Sequence, residues 1–204
     1  AMVRDANGQL TFTTPYAKRA VVYRVNGGKP QEYKAPVNLR EGGKVEAWYK
    51  DNKAAVATQT FHKIENVPLS VLFCSSQATG EHGIEHIVDN DPATFWHTMY
   101  SVTVAQYPHW VDFDANGTKL MKGFVYVPRQ SGQNGWIKDY EIYVSQDGKN
   151  WGSPIAKGTF PNGSKQQRVD FAQPVRARYI RFKALSSQNG QDFASAAEFK
   201  LIAD

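Results

Sequence analysis

From Gln9 to Phe61 apolar and polar residues alternate in short runs: 9–14 (QLTFTT), 20–25 (AVVYRV), 44–49 (KVEAWY) and 54–61 (AAVATQTF). Asn26-Gly27-Gly28, Gly42-Gly43 and Asp51-Asn52 punctuate them. A period of two between turn residues predicts strands, and no 3.6-residue period competes with it. Residues 1–64 therefore read as a small antiparallel β-sandwich, near the lower size at which a domain folds alone. Glu65-Asn66-Val67-Pro68-Leu69 is the expected joint, because Pro68 blocks helix continuation and ladder donation. Beyond it, strands are expected at 110–114, 122–127, 140–145, 165–171, 177–182 and 197–201, with Gly, Asn or Pro in the gaps. Only Ile84 to Val88 has room for a short turn of helix. Residues 65–204 read as a second all-β domain of ordinary size, again an antiparallel sandwich.

Charge changes this picture little. The formal net charge is +5, but residues 1–63 hold 11 Lys/Arg against 5 Asp/Glu, while residues 64–204 hold 13 against 14. The basic excess is scattered through the first third without a dense run, so a solvated strand face is expected rather than a nucleic-acid partner. Cys74 is the single cysteine, which excludes an intrachain disulfide and any zinc spacing built on paired cysteines. No apolar run reaches the length of a membrane span. Ala1-Met2 reads as a cloning remnant, and the chain as a piece of a longer secreted protein. The sequence contains no GxSxG, HExxH or phosphate loop, so no enzyme signature is present. Asp112 and Asp114, on one strand face, could imitate a glycosidase carboxylate pair.

The densest chemistry lies in Ile87-Val88-Asp89-Asn90-Asp91-Pro92-Ala93-Thr94-Phe95-Trp96-His97-Thr98. Asx residues followed by Pro make a turn, and their clustered oxygens also suit a hard cation such as calcium. Sugar recognition needs an aromatic face for apolar C–H groups and planar donors and acceptors for hydroxyls. Glu81, His82, His97, Tyr100, Arg129, Asn134 and Phe193 are candidates of those types. Trp96, Trp110 and Trp151, within or beside strand-like runs, are expected in the core; Trp136 is open, and His109 is expected to be structural.

Two resemblances follow. The order Val22-Tyr23-Arg24-Val25-Asn26-Gly27-Gly28-Lys29-Pro30, then Leu39-Arg40-Glu41-Gly42-Gly43-Lys44-Val45-Glu46-Ala47, resembles a small β module found near the C-termini of bacterial hexosaminidases and fucosidases, which connects domains and has no chemistry of its own. Asp89-Asn90-Asp91-Pro92-Ala93-Thr94-Phe95-Trp96, Trp110-Val111-Asp112-Phe113-Asp114, Gly123-Phe124-Val125-Tyr126-Val127-Pro128-Arg129, Trp136-Ile137-Lys138-Asp139-Tyr140-Glu141-Ile142-Tyr143, Ser145-Gln146-Asp147-Gly148-Lys149-Asn150-Trp151 and Ala177-Arg178-Tyr179-Ile180-Arg181-Phe182 stand in the order of the coagulation factor 5/8 type C (discoidin-like) family. The unpaired Cys74 is similar to the bacterial branch, the family 32 carbohydrate-binding modules. The resemblance implies an eight-stranded jelly roll of the galactose-binding type, a structural calcium held by Asp89 or Asp91 and Thr94 with Glu198 brought back to that loop, and a sugar gripped by His97, Arg129 and Asn134. Phe193 would be the stacking face, with Glu81 and Tyr100 beside it. Asn90 stands where the family has glycine, and asparagine tolerates the left-handed conformation such a turn requires. The expected function is non-catalytic binding of terminal galactose-type sugars by a monomeric module of a secreted or periplasmic glycoside hydrolase. The other implied class is lipid or protein adhesion; the polar loop Ser131-Gly132-Gln133-Asn134-Gly135 argues against membrane insertion there.

Overall fold

The structure, a computed structural model, describes every residue except Ala6, Asn7, Ala17 and Glu65, the last being the first residue of the expected joint. It divides into two compact units, Ala1–Glu65 and Asn66–Asp204. In the first, β1 (Met2–Arg4), β2 (Gln9–Phe12) and β5 (Val37–Asn38) form one sheet, and β4 (Gln31–Glu32), β3 (Val21–Val25), β6 (Gly43–Tyr49) and β7 (Asn52–Phe61) form another. Leu10, Leu39 and Val45 make its small buried core. Asn26 and Gly27 turn the chain at positive φ, as the Asn-Gly pair predicts.

The second unit contains β8 (Asn66–Val67), β9 (Ser70–Cys74), β10 (Trp96–His97), β11 (His109–Val127), β12 (Asp139–Ser145), β13 (Ala156–Thr159), β14 (Gln167–Ala184), β15 (Ser195–Ala196) and β16 (Glu198–Ala203). The main sheet runs β13-β12-β14-β11-β16-β8, with β9 also paired to β11. Runs expected as separate strands at 110–114 and 122–127 are continuous as β11, and those at 165–171 and 177–182 as β14. Each long strand changes register near its middle, between Asp114 and Lys119 on β11, where Asn116 and Gly117 adopt positive φ. Bending there lets one strand serve two parts of the sandwich. Ile84–Val88 forms a short 3-10 helix, as its pattern predicts. The sequence reading missed β9 because a bulge leaves Leu72 without a partner between Phe73, opposite Asp112, and Val71, opposite Phe113, and so breaks the alternation.

Inward residues of β11, β12, β14 and β16 supply the core: Val111, Phe113, Phe124, Tyr126, Ile142, Ile180, Phe182, Phe199 and Leu201 are all buried. Phe113 and Phe124 both stack on Phe199, at 4.9 and 5.3 Å between ring centres. Burying each such ring is worth about 1.5–3 kcal/mol, which is what fixes the sandwich on which the loops stand.

Tryptophan expectations hold only in part. Trp96 is fully buried and donates Nε1–H to the Ser76 carbonyl (3.0 Å). Trp110 and Trp151 are half-buried on the outer sheet face instead, flanking the Arg181 guanidinium at 5.5 and 4.4 Å. Period two explains this: Trp110 shares a strand face with Asp112 and Asp114, opposite Val111 and Phe113. Asp112 receives both arms of Arg181 (2.6 and 2.8 Å), and Asp114 both arms of Arg178 (3.0 and 2.7 Å). The two carboxylates are thus locked in ion pairs rather than arranged as an acid and a base.

Candidate functional site

Chain geometry brings four sequence candidates together at one end of the second unit. His97, the last residue of β10, is buried, with its ring 5.0 Å from Tyr100 and 5.4 Å from Phe193. Its Nδ1 lies 2.6 Å from the Thr98 carbonyl. Burial, opposed by that hydrogen bond and reinforced by Arg129, His82 and His109, holds its pKa below the ordinary imidazole value. The ring is therefore neutral near pH 7, and Nδ1–H donating to Thr98 leaves Nε2 as an acceptor with no protein donor.

Arg129 follows Pro128 at the end of β11. Its guanidinium lies 4.2 Å from the centre of the Phe95 ring, and His82 stacks on the same ring at 4.1 Å and 22°. Nε donates to Ser131 Oγ (3.0 Å), and Trp136 Nε1–H holds the Arg129 carbonyl (2.8 Å). Among the described residues no carboxylate pairs with this guanidinium, so its terminal N–H groups are free for acceptors; burial lowers its pKa. Residue type and spacing give Phe95 no role among the sugar-contact candidates, yet here it supports the arginine. Trp136, left open by the sequence, proves to be a brace for the same residue.

Phe193 is half-buried, and its carbonyl accepts the Tyr107 hydroxyl. His109 Nε2 lies 2.7 Å from the Asp192 carbonyl, the structural role expected of it. Asn134 stands on the neighbouring loop, exposed. Its carbonyl accepts Ser195 Oγ (2.8 Å), and its side-chain oxygen receives only a long contact from Asn189 (3.5 Å). Gly135 follows at φ 80°, and a Cβ there would stand 2.8 Å from the Ala194 and Ser195 main chain, so glycine is required for the loop to dock. Glu81 is exposed and bonded to none of the other candidates.

The Asx loop adjoins this end. Asn90 adopts φ 63°. Asp89 accepts the Asp91 N–H (2.8 Å), Thr94 Oγ1 (2.7 Å) and a contact from His86 Nδ1 (3.0 Å). These bonds outweigh burial and hold its pKa below the usual carboxylate value. Glu198, 1% exposed at the start of β16, has no hydrogen-bond donor on either carboxylate oxygen. Burial, eased by Lys200 but reinforced by Asp89 and Asp91, raises its pKa to about 7. A buried carboxylate without a donor, under the charge of Asp89 and Asp91, has a demand that a cation's charge would meet. Among the described residues, however, no group of three or more His, Cys, Asp or Glu side chains is placed to hold a metal ion, so Thr94 and main-chain oxygens would have to supply much of the shell.

The first unit holds a hollow of about 360 Å3 lined in part by Phe12, Trp48, Tyr49, Thr14 and Gln59. Aromatic faces and hydroxyls thus do occur together there, which the sequence did not suggest. Among the described residues that line it there is no arginine, lysine or histidine side chain.

The F5/8 type C domain family matches residues 72–199. A sialidase of Micromonospora viridifaciens is 35% identical over 202 residues, 97% of this chain and 28% of the relative. A galactose oxidase of Gibberella zeae is 38% identical over 131 residues, 63% of this chain and 19% of the relative. The chain thus spans less than a third of these relatives' lengths. Among solved structures, the Clostridium perfringens module CpGH89CBM32-5, in complex with GalNAc-β-1,3-galactose, matches with TM-score 0.62 and 28% identity over 68% of this chain and 99% of that one. The family 32 module of Clostridium perfringens NanJ, in complex with galactose, matches with TM-score 0.60 and 25% identity over 67% and 97%.

Proposed function

Because the chain belongs to the F5/8 type C domain family, we propose that its second unit is a non-catalytic module that binds the terminal galactose-type sugar of a glycan, as part of a secreted glycoside hydrolase. One observation carries the reading: Arg129, with no carboxylate partner, is held on Phe95 near a neutral His97 whose Nε2 is an open acceptor, with Phe193 and Tyr100 as aromatic walls. A hydroxyl can accept from the arginine fork while donating to the imidazole, and an aromatic wall can cover the apolar C–H face of the ring. Support comes from the solved relatives in complex with galactose and with GalNAc-β-1,3-galactose.

A structural calcium held by Glu198, Asp89, Asp91 and Thr94 would join the loop after the 3-10 helix to the start of β16. Its chemistry is charge neutralisation of buried carboxylates, with no step of catalysis routed through it. Residues 1–64 act as a connector, and the whole chain as a monomer that raises the local concentration of its enzyme at the glycan. Among the described residues no helix is long and apolar enough to cross a membrane.

A glycan array probed with the isolated chain tests the reading. Retention on galactose- and GalNAc-terminated glycans is the expected result; retention on none of them refutes it.

A further inference from the structure

Between Thr98 and Pro108 the chain carries no charged residue, and it leaves large apolar side chains in water. Val102 is 84% exposed, Tyr100 46% and Val104 42%. Scattered exposed hydrophobics need no explanation, but three within five residues do. Both ends of this loop are tied to the sugar site. Tyr100 packs edge-on against His97 (5.0 Å). Tyr107 donates its hydroxyl to the Phe193 carbonyl, and Gln106 Nε2 donates to Asp192 (3.0 Å). Anchored through Tyr100 on His97 and through Tyr107 on Phe193, the stretch 101–105 stands as an uncharged rim beside the pocket, with the Val102 and Val104 side chains exposed among the hydroxyls of Ser101 and Thr103.

We propose that this rim is a second subsite, which takes an apolar group attached on the aglycone side of the terminal sugar. The inference rests on the sugar-binding reading of the pocket and adds to it. Neither Val102 nor Val104 can hydrogen-bond a hydroxyl, so a bare hexose gains less from them than a ligand that carries an apolar group. Ligands with that apolar group have two sources: the acetamido methyl of an N-acetylated neighbouring sugar, or the alkyl chain of a lipid-linked glycoside. Covering an exposed valine with either removes apolar surface from water on both partners. A bilayer itself is the competing occupant. The absence of Lys or Arg from the loop, and the polar loop 131–135 beyond it, favour a small ligand over a membrane surface.

Calorimetry with three probes tests this on the whole chain: methyl β-galactoside, N-acetyllactosamine and octyl β-galactoside below its micellar concentration. At least one extended ligand should bind about fivefold more tightly than the methyl glycoside, the factor expected from covering about 40 Å2 of apolar surface. Which of the two gains identifies the source. Val102→Ser/Val104→Ser should erase the gain and leave methyl β-galactoside binding and the melting temperature unchanged. Equal affinity for all three probes, or a gain that survives the double substitution, overturns the subsite while leaving the pocket intact. Failure of every galactoside to bind overturns the pocket reading and the subsite with it. Co-sedimentation of the chain with sugar-free phosphatidylcholine/phosphatidylserine vesicles, lost on Val102→Ser/Val104→Ser, overturns the subsite in favour of a lipid surface.

Discussion

Arg181 and Arg129 stand on the same sandwich in opposite surroundings. Arg181 donates both arms of its fork to the buried Asp112 and lies between Trp110 and Trp151 on the outer sheet face. Arg129 also lies on an aromatic ring, Phe95, but nothing acidic answers it. On the sheet face Asp114 with Arg178 and Glu141 with Lys183 are paired as well, so the ionic groups there satisfy one another. At the loop end both oxygens of Glu198 lack a hydrogen-bond partner, and among the described residues the Arg129 guanidinium has no carboxylate partner, its Nε donating only to Ser131 Oγ. A folded chain leaves such groups unpaired at some cost, and the cost is recovered when something binds. The difference separates a face whose charges are paired, with Trp110 Nε1 its one buried group lacking a partner among the described residues, from an end where a guanidinium and a carboxylate are left without an ionic partner.

The comparison can be broken from either side. The largest effect is expected on the paired side: Arg181→Ala strands a buried carboxylate and should cost about 2–4 kcal/mol of stability while leaving sugar affinity intact. Denaturant melts read the first and calorimetry the second; a loss of affinity in a folded Arg181→Ala protein would erase the distinction. Next comes the ion. A ligand selective for the folded state at a hundredfold above its Kd contributes about 2.7 kcal/mol, so EDTA should lower the melting temperature and calcium restore it. Glu198→Gln should lose that response. Unfolding indifferent to both EDTA and added calcium would leave Glu198 in a plain turn.

Smaller effects sharpen the contrast. Burial lowers the folded-state pKa of both His97 and His109. The unfolded chain therefore binds more protons between those lowered values and the ordinary 6.5 or so, and stability present above that pH is lost as pH falls through it. Melts with calcium in excess, where Glu198 is not what titrates, should show a lower midpoint at pH 5.5 than at pH 7.5. His97→Asn should shrink that difference; an unchanged one would mean the ring is not the buried neutral group described. The smallest expected effect is none: residues 66–204 alone should keep full affinity, and a clear loss on truncation would draw the hollow lined by Trp48 and Tyr49 into binding.

Much of this was legible in the chain, and the limits have physical causes. Period-two runs predicted the strands and the all-β class, because one face of each strand must be apolar. For Trp110 the same alternation sets the ring beside Asp112 and Asp114, away from Val111 and Phe113, and the expectation from ring size overrode it; Trp151 lies outside any strand, where alternation assigns no face. Leu72-Phe73 hid β9 through its bulge. At the site, His97, Tyr100, Arg129 and Phe193 were named from residue type and family order, and the fold brings them to one end. Asn134 and Glu81 were named on the same grounds, and nothing in the fold ties either side chain to that group. Phe95 escaped as a support because cation–π stacking depends on tertiary placement and leaves no spacing signal. That Glu198 is buried without a donor follows only from three-dimensional packing.

Calorimetry of Arg129→Ala against methyl β-galactoside tests the central claim most directly. A single-sugar pocket should bind the wild-type chain with about −4 to −6 kcal/mol, millimolar to tens of micromolar. Removing the fork should cost about 1.5–3 kcal/mol, enough to abolish measurable binding, while the melting temperature moves little because no buried carboxylate is left stranded and the exposed Ser131 hydroxyl can turn to water. Near wild-type affinity in a folded Arg129→Ala protein would contradict the account, for the unpaired arginine would then not be what the sugar meets.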